Sequence, residues 1–141
     1  MTGLIVVVVA LALASVVGFR LQRSGRRLAA AGTATEESPV VLGPADLGGP
    51  LGQRATLVQF SSAFCAPCRT TRVVLGDVSR LVDGVTYLEV DAESNLELVR
   101  RLDVRRTPTV LVLDASGAVV RRASGAPRKA DVLAALGAAV G

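Results

Sequence analysis

The chain has 141 residues, 50 % of them hydrophobic and 20 % charged, which suits one compact domain with an appendage and falls short of two ordinary domains. Its formal net charge is +4, yet three Phe, one Tyr and no Trp leave no aromatic stacking platform, so nucleic acid is not the expected partner. There is no histidine, which excludes histidine-based acid–base catalysis, Cys–His proteolysis and the commonest metal ligand.

The first element is apolar. Gly3 to Phe19 (GLIVVVVALALASVVGF) carries no charge and would span roughly 25 Å as a helix, close to the short limit for a bilayer core. A buried core segment is one alternative. A cleaved signal peptide is another, since Ala12-Leu13-Ala14 has the small-x-small form of a cleavage site. No positive side chain precedes the run, and Arg20, Arg23, Arg26 and Arg27 follow it. The expectation is therefore one uncleaved N-terminal transmembrane helix over residues 1–20, a single-pass anchor in the cell membrane. By the positive-inside rule, everything after Arg20 lies on the cytoplasmic face. Residues 21–39, rich in Arg, Ala, Gly, Thr, Ser and Glu without apolar periodicity, read as a flexible basic linker.

Residues 40–141 alternate strand and helix signals and form the expected folded domain. Ala55 to Phe60 is a short apolar strand. From Cys65 a helical pattern places Val74, Val78, Leu81 and Val82 on one face, and Gly84 ends it. Val85 to Val90 is the next strand, and Ser94 to Leu102 a short helix with Leu98 and Leu102 inward. Thr109 to Leu113, a turn at Asp114-Ala115-Ser116-Gly117 and Ala118 to Ala123 make an antiparallel hairpin. Pro127 suits the first turn of a final helix burying Val132, Leu133, Leu136 and Val140. Parallel strands joined by a helix, then a hairpin and a closing helix, give an α/β fold.

Chemistry concentrates at Cys65 and Cys68, the two cysteines of the chain, placed between a strand and a helix. A sulfur at a helix N-terminus meets unpaired N–H groups and the positive end of the macrodipole, both of which favour thiolate. A thiolate can attack a substrate disulfide, and a second cysteine one turn on can resolve the mixed disulfide. Pro67 fits an early helical position, where its missing N–H is not needed. Half of a zinc site is the main rival, but tetrahedral zinc wants four ligands and the sequence offers no further Cys or His. A two-thiolate copper(I) site stays open, as does a purely structural disulfide, whose small loop would add little stability.

Thr56 to Cys68 (TLVQFSSAFCAPC), followed by Thr107-Pro108-Thr109 and Gly125, resembles the thioredoxin family over about Ala55 to Gly141. The resemblance implies a thioredoxin-like fold, a central mixed β-sheet flanked by helices. It makes Cys65 the nucleophile and Cys68 the resolving residue, with no cofactor beyond their redox-active disulfide and no metal. It makes the bond before Pro108 cis, lets backbone of Thr107 pair with substrate, and puts Gly125 on a flat docking surface. Phe64, Ala66 and Pro67 complete the expected substrate contacts. Four positions depart from the commonest family pattern: Phe64 and Ser61 stand where tryptophan is usual, Ala66-Pro67 replaces Gly-Pro, and Gln59 replaces a buried aspartate that assists proton transfer. Strand alternation turns Gln59 inward beneath the pair, where an amide cannot accept that proton, leaving water or another acid such as Asp91.

The expected function is thiol–disulfide exchange with protein disulfides through Cys-Ala-Pro-Cys, most simply as a membrane-tethered monomeric reductase regenerated by an upstream dithiol reductase. The alternative is a non-enzymatic thioredoxin-like binding module, or a copper or zinc carrier using the same two thiolates.

Overall fold

The computed structural model of the protein describes residues 39–141, so the apolar run and nearly all of the expected linker lie outside the described residues. Among the described residues no helix is long and apolar enough to cross a membrane. The elements run α1 (Pro44–Leu47), β1 (Ala55–Ser61), α2 (Ala66–Leu81), β2 (Val85–Asp91), α3 (Leu96–Arg101), β3 (Thr109–Asp114), β4 (Val119–Ser124) and α4 (Lys129–Val140). The strands form one mixed sheet in the order β2-β1-β3-β4, with β1 parallel to β2 and antiparallel to β3. β4 closes the hairpin as an antiparallel edge, with a register shift between Val112 and Leu113.

All seven residues of β1 are buried, as a central strand covered on both faces requires. Alternation then divides its side chains. Leu57 joins Leu75, Val78, Val110, Val112, Val132 and Leu136 in a core under α2 and α4. Val58 and Phe60 join Leu42, Leu47, Leu98, Leu111 and Leu113 in the opposite core, under α1 and α3. The described segment before β1 is short: an isolated antiparallel bridge, Val41 to Ala118, and the single turn of α1 place Leu42 and Leu47 in that second core.

The helix faces differ in detail from the sequence expectation. In α2 the buried residues are Cys68, Thr71, Leu75 and Val78, a 3-4-3 spacing that makes one stripe. Val74 and Val82 only flank it, and Leu81 is 66 % exposed because it lies roughly 100° around the helix from the stripe's centre. In α4, Val132 and Leu136 are buried and Val140 is half-buried. Leu133, one residue round from Val132, is 40 % exposed. Pro127 precedes the cap Arg128 and so lies outside the helix it was expected to begin. Helix α2 ends at Leu81, and the chain reverses at Gly84, whose φ is +78°.

The hairpin turn is built as its sequence suggests. Asp114 Oδ1 accepts from the backbone N–H of Ser116 and Ala118 and from the Ser116 hydroxyl. Gly117 has φ +87°, and a Cβ there would lie 2.2 Å from the carbonyl oxygen of Leu42. Only glycine fits.

Candidate active site

The C-terminal end of β1 delivers the chain to the N-terminus of α2, and the two cysteines straddle that junction. Cys65 is the N-cap, with extended backbone (φ −98°, ψ 92°), and Ala66 and Pro67 are the first two helical residues. Cys68 follows in the first turn, its N–H donating to the Cys65 carbonyl at 3.2 Å. The sulfurs are joined in a disulfide across a Cα–Cα distance of 5.3 Å. Their environments differ: Cys65 is partly exposed, whereas Cys68 is 2 % exposed. No acidic residue occupies the first turn of α2, and Arg69 follows Cys68 directly, so the field at Cys65 favours negative charge.

Two distant loops complete the site. The Thr107–Pro108 bond is cis, with Pro108 buried at the start of β3. The Thr107 and Ser62 hydroxyl oxygens are 2.9 Å apart, which ties this loop to the one leading into Cys65. Gly125 donates its N–H to the Pro108 carbonyl at 2.8 Å. Its φ is +89° and a Cβ would meet nothing within 4 Å, so glycine is required by the backbone turn, over open space. Phe64 is 100 % exposed, and Ala66 and Pro67 are exposed beside it. Cys65, Cys68, Phe64, Ala66, Pro67, Thr107, Pro108 and Gly125 are thus brought to one end of the sheet.

Beneath the pair Gln59 points inward as strand alternation requires, fully buried, with Nε2 donating to the Cys68 carbonyl at 2.9 Å. Its Oε1 accepts from the Tyr87 hydroxyl at 2.9 Å. Burial, then the neighbouring Glu89 carboxylate, push the Tyr87 hydroxyl up to about 12, so it is neutral at physiological pH. Glu89 itself accepts a two-pronged bond from Arg72 and a 2.6 Å bond from Ser61, and Arg72 holds its carboxyl below the ordinary value. Asp91, the other acid considered from the sequence, is the last residue of β2. Its exposed carboxylate accepts from the Ser94 hydroxyl and the Glu93 N–H, which lower its pKa and close the loop after β2.

Several contributors carried no readable signal in the sequence. Ser62 meets a partner 45 residues away. Thr71, fully buried, donates to the Pro67 carbonyl at 3.0 Å and so braces the same first turn. Arg122 on β4 donates to the carbonyls of Leu102 and Asp103, holding the start of the loop that carries Thr107. Among the described residues no group of three or more Cys, His, Asp or Glu side chains is arranged to hold a metal ion.

A disulfide at a helix N-terminus, set against a cis-proline loop on a mixed four-stranded sheet, defines a thioredoxin-like domain with a redox-capable pair. A thioredoxin family profile matches residues 51–138, most of the chain, and the protein belongs to the thioredoxin family. It is similar to thioredoxin domain-containing protein 8 of Mus musculus, 34 % identical over 58 residues, covering 41 % of this chain and 46 % of that protein. It is similar also to thioredoxin H5 of Oryza sativa subsp. japonica, 30 % identical over 60 residues, covering 43 % and 44 %. The match therefore spans less than half the length of either relative. Among solved structures, the thioredoxin of Fasciola hepatica superposes with a TM-score of 0.55 at 24 % identity, covering 62 % of this chain and 83 % of that one, a likeness of fold.

Proposed function

We propose that the protein is a thiol–disulfide oxidoreductase that reduces protein disulfides through Cys65 and Cys68. The observation that carries this reading is the asymmetry of the pair: a partly exposed cysteine at the helix N-cap position and a buried one a turn inside. The Cys65 thiolate attacks one sulfur of a substrate disulfide, forming a mixed disulfide and expelling the other substrate sulfur as thiolate. Cys68 then attacks Cys65 Sγ, re-forming the Cys65–Cys68 bond and releasing the second substrate sulfur. The substrate gains two electrons and two protons, and an upstream dithiol reductase restores the pair. No bound cofactor enters this cycle. Phe64, Ala66, Pro67, Thr107, Pro108 and Gly125 surround the reacting sulfurs and would contact the substrate.

The basic arginines after the apolar run support a single-pass anchor with the domain on the cytoplasmic face, where reduction is the expected direction. Two assays test these assignments. Cys65→Ser should abolish disulfide reduction, while Cys68→Ser should trap substrates on Cys65; adducts forming through Cys68 in the Cys65→Ser protein would reverse the roles. A membrane-impermeant thiol reagent applied to intact cells should leave Cys65 unlabelled, and ready labelling would place the domain outside.

A further inference from the structure

Of the buried polar side chains among the described residues, Gln59 alone hydrogen-bonds the second cysteine. It sits in the layer shared by Leu57, Leu75 and Val78, where an aliphatic side chain of similar size would pack without needing polar partners. Both ends of the amide are engaged, the nitrogen by the Cys68 carbonyl and the oxygen by the Tyr87 hydroxyl. The result is a neutral strut that runs from β2, through β1, to the first turn of α2.

We propose that Gln59 is the positioning residue of the resolving cysteine, a role that rests on the exchange function above. While Cys65 carries substrate, the bond to Cys68 is open, and besides its own helical turn the hydrogen bond from Gln59 is what holds Cys68. The Gln59 strut grips the carbonyl of that residue and keeps its sulfur within reach of Cys65 Sγ. In the resolving step the Cys68 thiol loses its proton to a solvent base and its thiolate attacks Cys65 Sγ. The bond from Cys65 to the substrate sulfur breaks, and the electron pair leaves on the substrate thiolate, which takes a proton from water. The elements that carry the site bear Tyr87, Glu89 and Asp91 on β2, Glu93 beyond it, Arg69 and Arg72 on α2, and Arg105 and Arg106 before Pro108. Tyr87 is the one of these that hydrogen-bonds the Gln59 side chain, and an amide does not titrate in this range, so position and not proton transfer is what Gln59 supplies.

The two roles predict opposite responses, read by single-turnover decay of the mixed disulfide on the full chain between about pH 6 and pH 9. Gln59→Leu should slow resolution about tenfold across that range, the loss of one well-made hydrogen bond, and leave the initial attack by Cys65 unchanged. Gln59→Glu should resolve at near the parent rate while its buried carboxyl is protonated and can donate to the Cys68 carbonyl. Once the carboxyl ionises, two acceptors face each other and the rate should fall relative to the parent at the same pH. A ratio of variant to parent rate that climbs as the carboxyl ionises overturns the proposal, as does parent-like resolution in folded Gln59→Leu. Should Gln59→Leu fail to fold, the sign of the Gln59→Glu pH profile decides alone. Failure of Cys68→Ser to trap any substrate would instead sink the exchange reading, and the positioning role with it.

Discussion

The two faces of the sheet are packed with similar aliphatic residues but use their buried polar groups differently. Under α1 and α3, the Thr56 hydroxyl accepts from the Gly52 N–H and the Thr109 hydroxyl donates to the Arg106 carbonyl, both of them loop backbone. Under α2 and α4, the fully buried polar groups are Gln59 and Thr71, and each donates to a carbonyl of the turn that carries the cysteines. A buried polar group is tolerated only when satisfied, so where its partner lies tells what it organises. One face organises the fold. The other also braces the turn that carries the disulfide.

That separation can be broken most forcefully from the first face. Leu113 is fully buried in β3 at the end of the sheet away from the cysteines, since its partner on β1 is Thr56. Leu113→Ala should lower the unfolding free energy by about 2–5 kcal/mol while disulfide reduction per folded molecule stays at the parent value. Denaturant titration alongside an activity assay checks this, and an activity loss exceeding the unfolded fraction would show that the faces are not independent. Thr71→Val, on the second face, should invert the pattern. It keeps the volume but removes the bond to the Pro67 carbonyl, costing about 1 kcal/mol of stability and slowing exchange by about two- to fivefold.

The smallest expected effect lies at the rim of the second face, where Arg72 and Ser61 hold Glu89. The Glu89 pKa is lowered in the folded protein, chiefly by the Arg72 bond. Its contribution is therefore complete above the unfolded carboxyl pKa and is lost as pH falls through the lower folded value. Solvent screening keeps that contribution below about 1 kcal/mol. Glu89→Gln should lose it at neutral pH and match the parent protein in acid, which thermal melts at neutral and acid pH would reveal. A stability difference that persists undiminished in strong acid would assign the effect to packing.

Legibility in the sequence followed the range of the interactions. Strands β1, β2 and β3 and the hairpin turn are local patterns of apolar runs punctuated by glycine and aspartate, and they read within a residue or two of their bounds. Cys65 and Cys68 stood out because their neighbours in sequence explain them, and Pro108 through the resemblance to the thioredoxin family. The misplaced Leu81 and Leu133 mark the limit of periodicity, since both are apolar and a helix of ambiguous pattern is oriented by what packs against it. Gln59 could be placed inward by counting along the strand, but its grip on Cys68 and Tyr87 could not. Ser62, Thr71 and Arg122 were silent for the same reason, as hydroxyls and a guanidinium whose partners are fixed only by the assembled sheet.

Cys65 occupies the position at which a helix ordinarily recruits serine, threonine, aspartate or asparagine, and no side chain caps α2 in its place. Such a cap contributes about 1 kcal/mol, so the fold forgoes stability at a residue that the proposed exchange chemistry requires. Selection for a firmer helix and selection for a reactive sulfur pull in opposite directions at this position. An effort to raise thermal tolerance by optimising helix starts would be drawn to residue 65, and there it would exchange a working protein for a sturdier inert one.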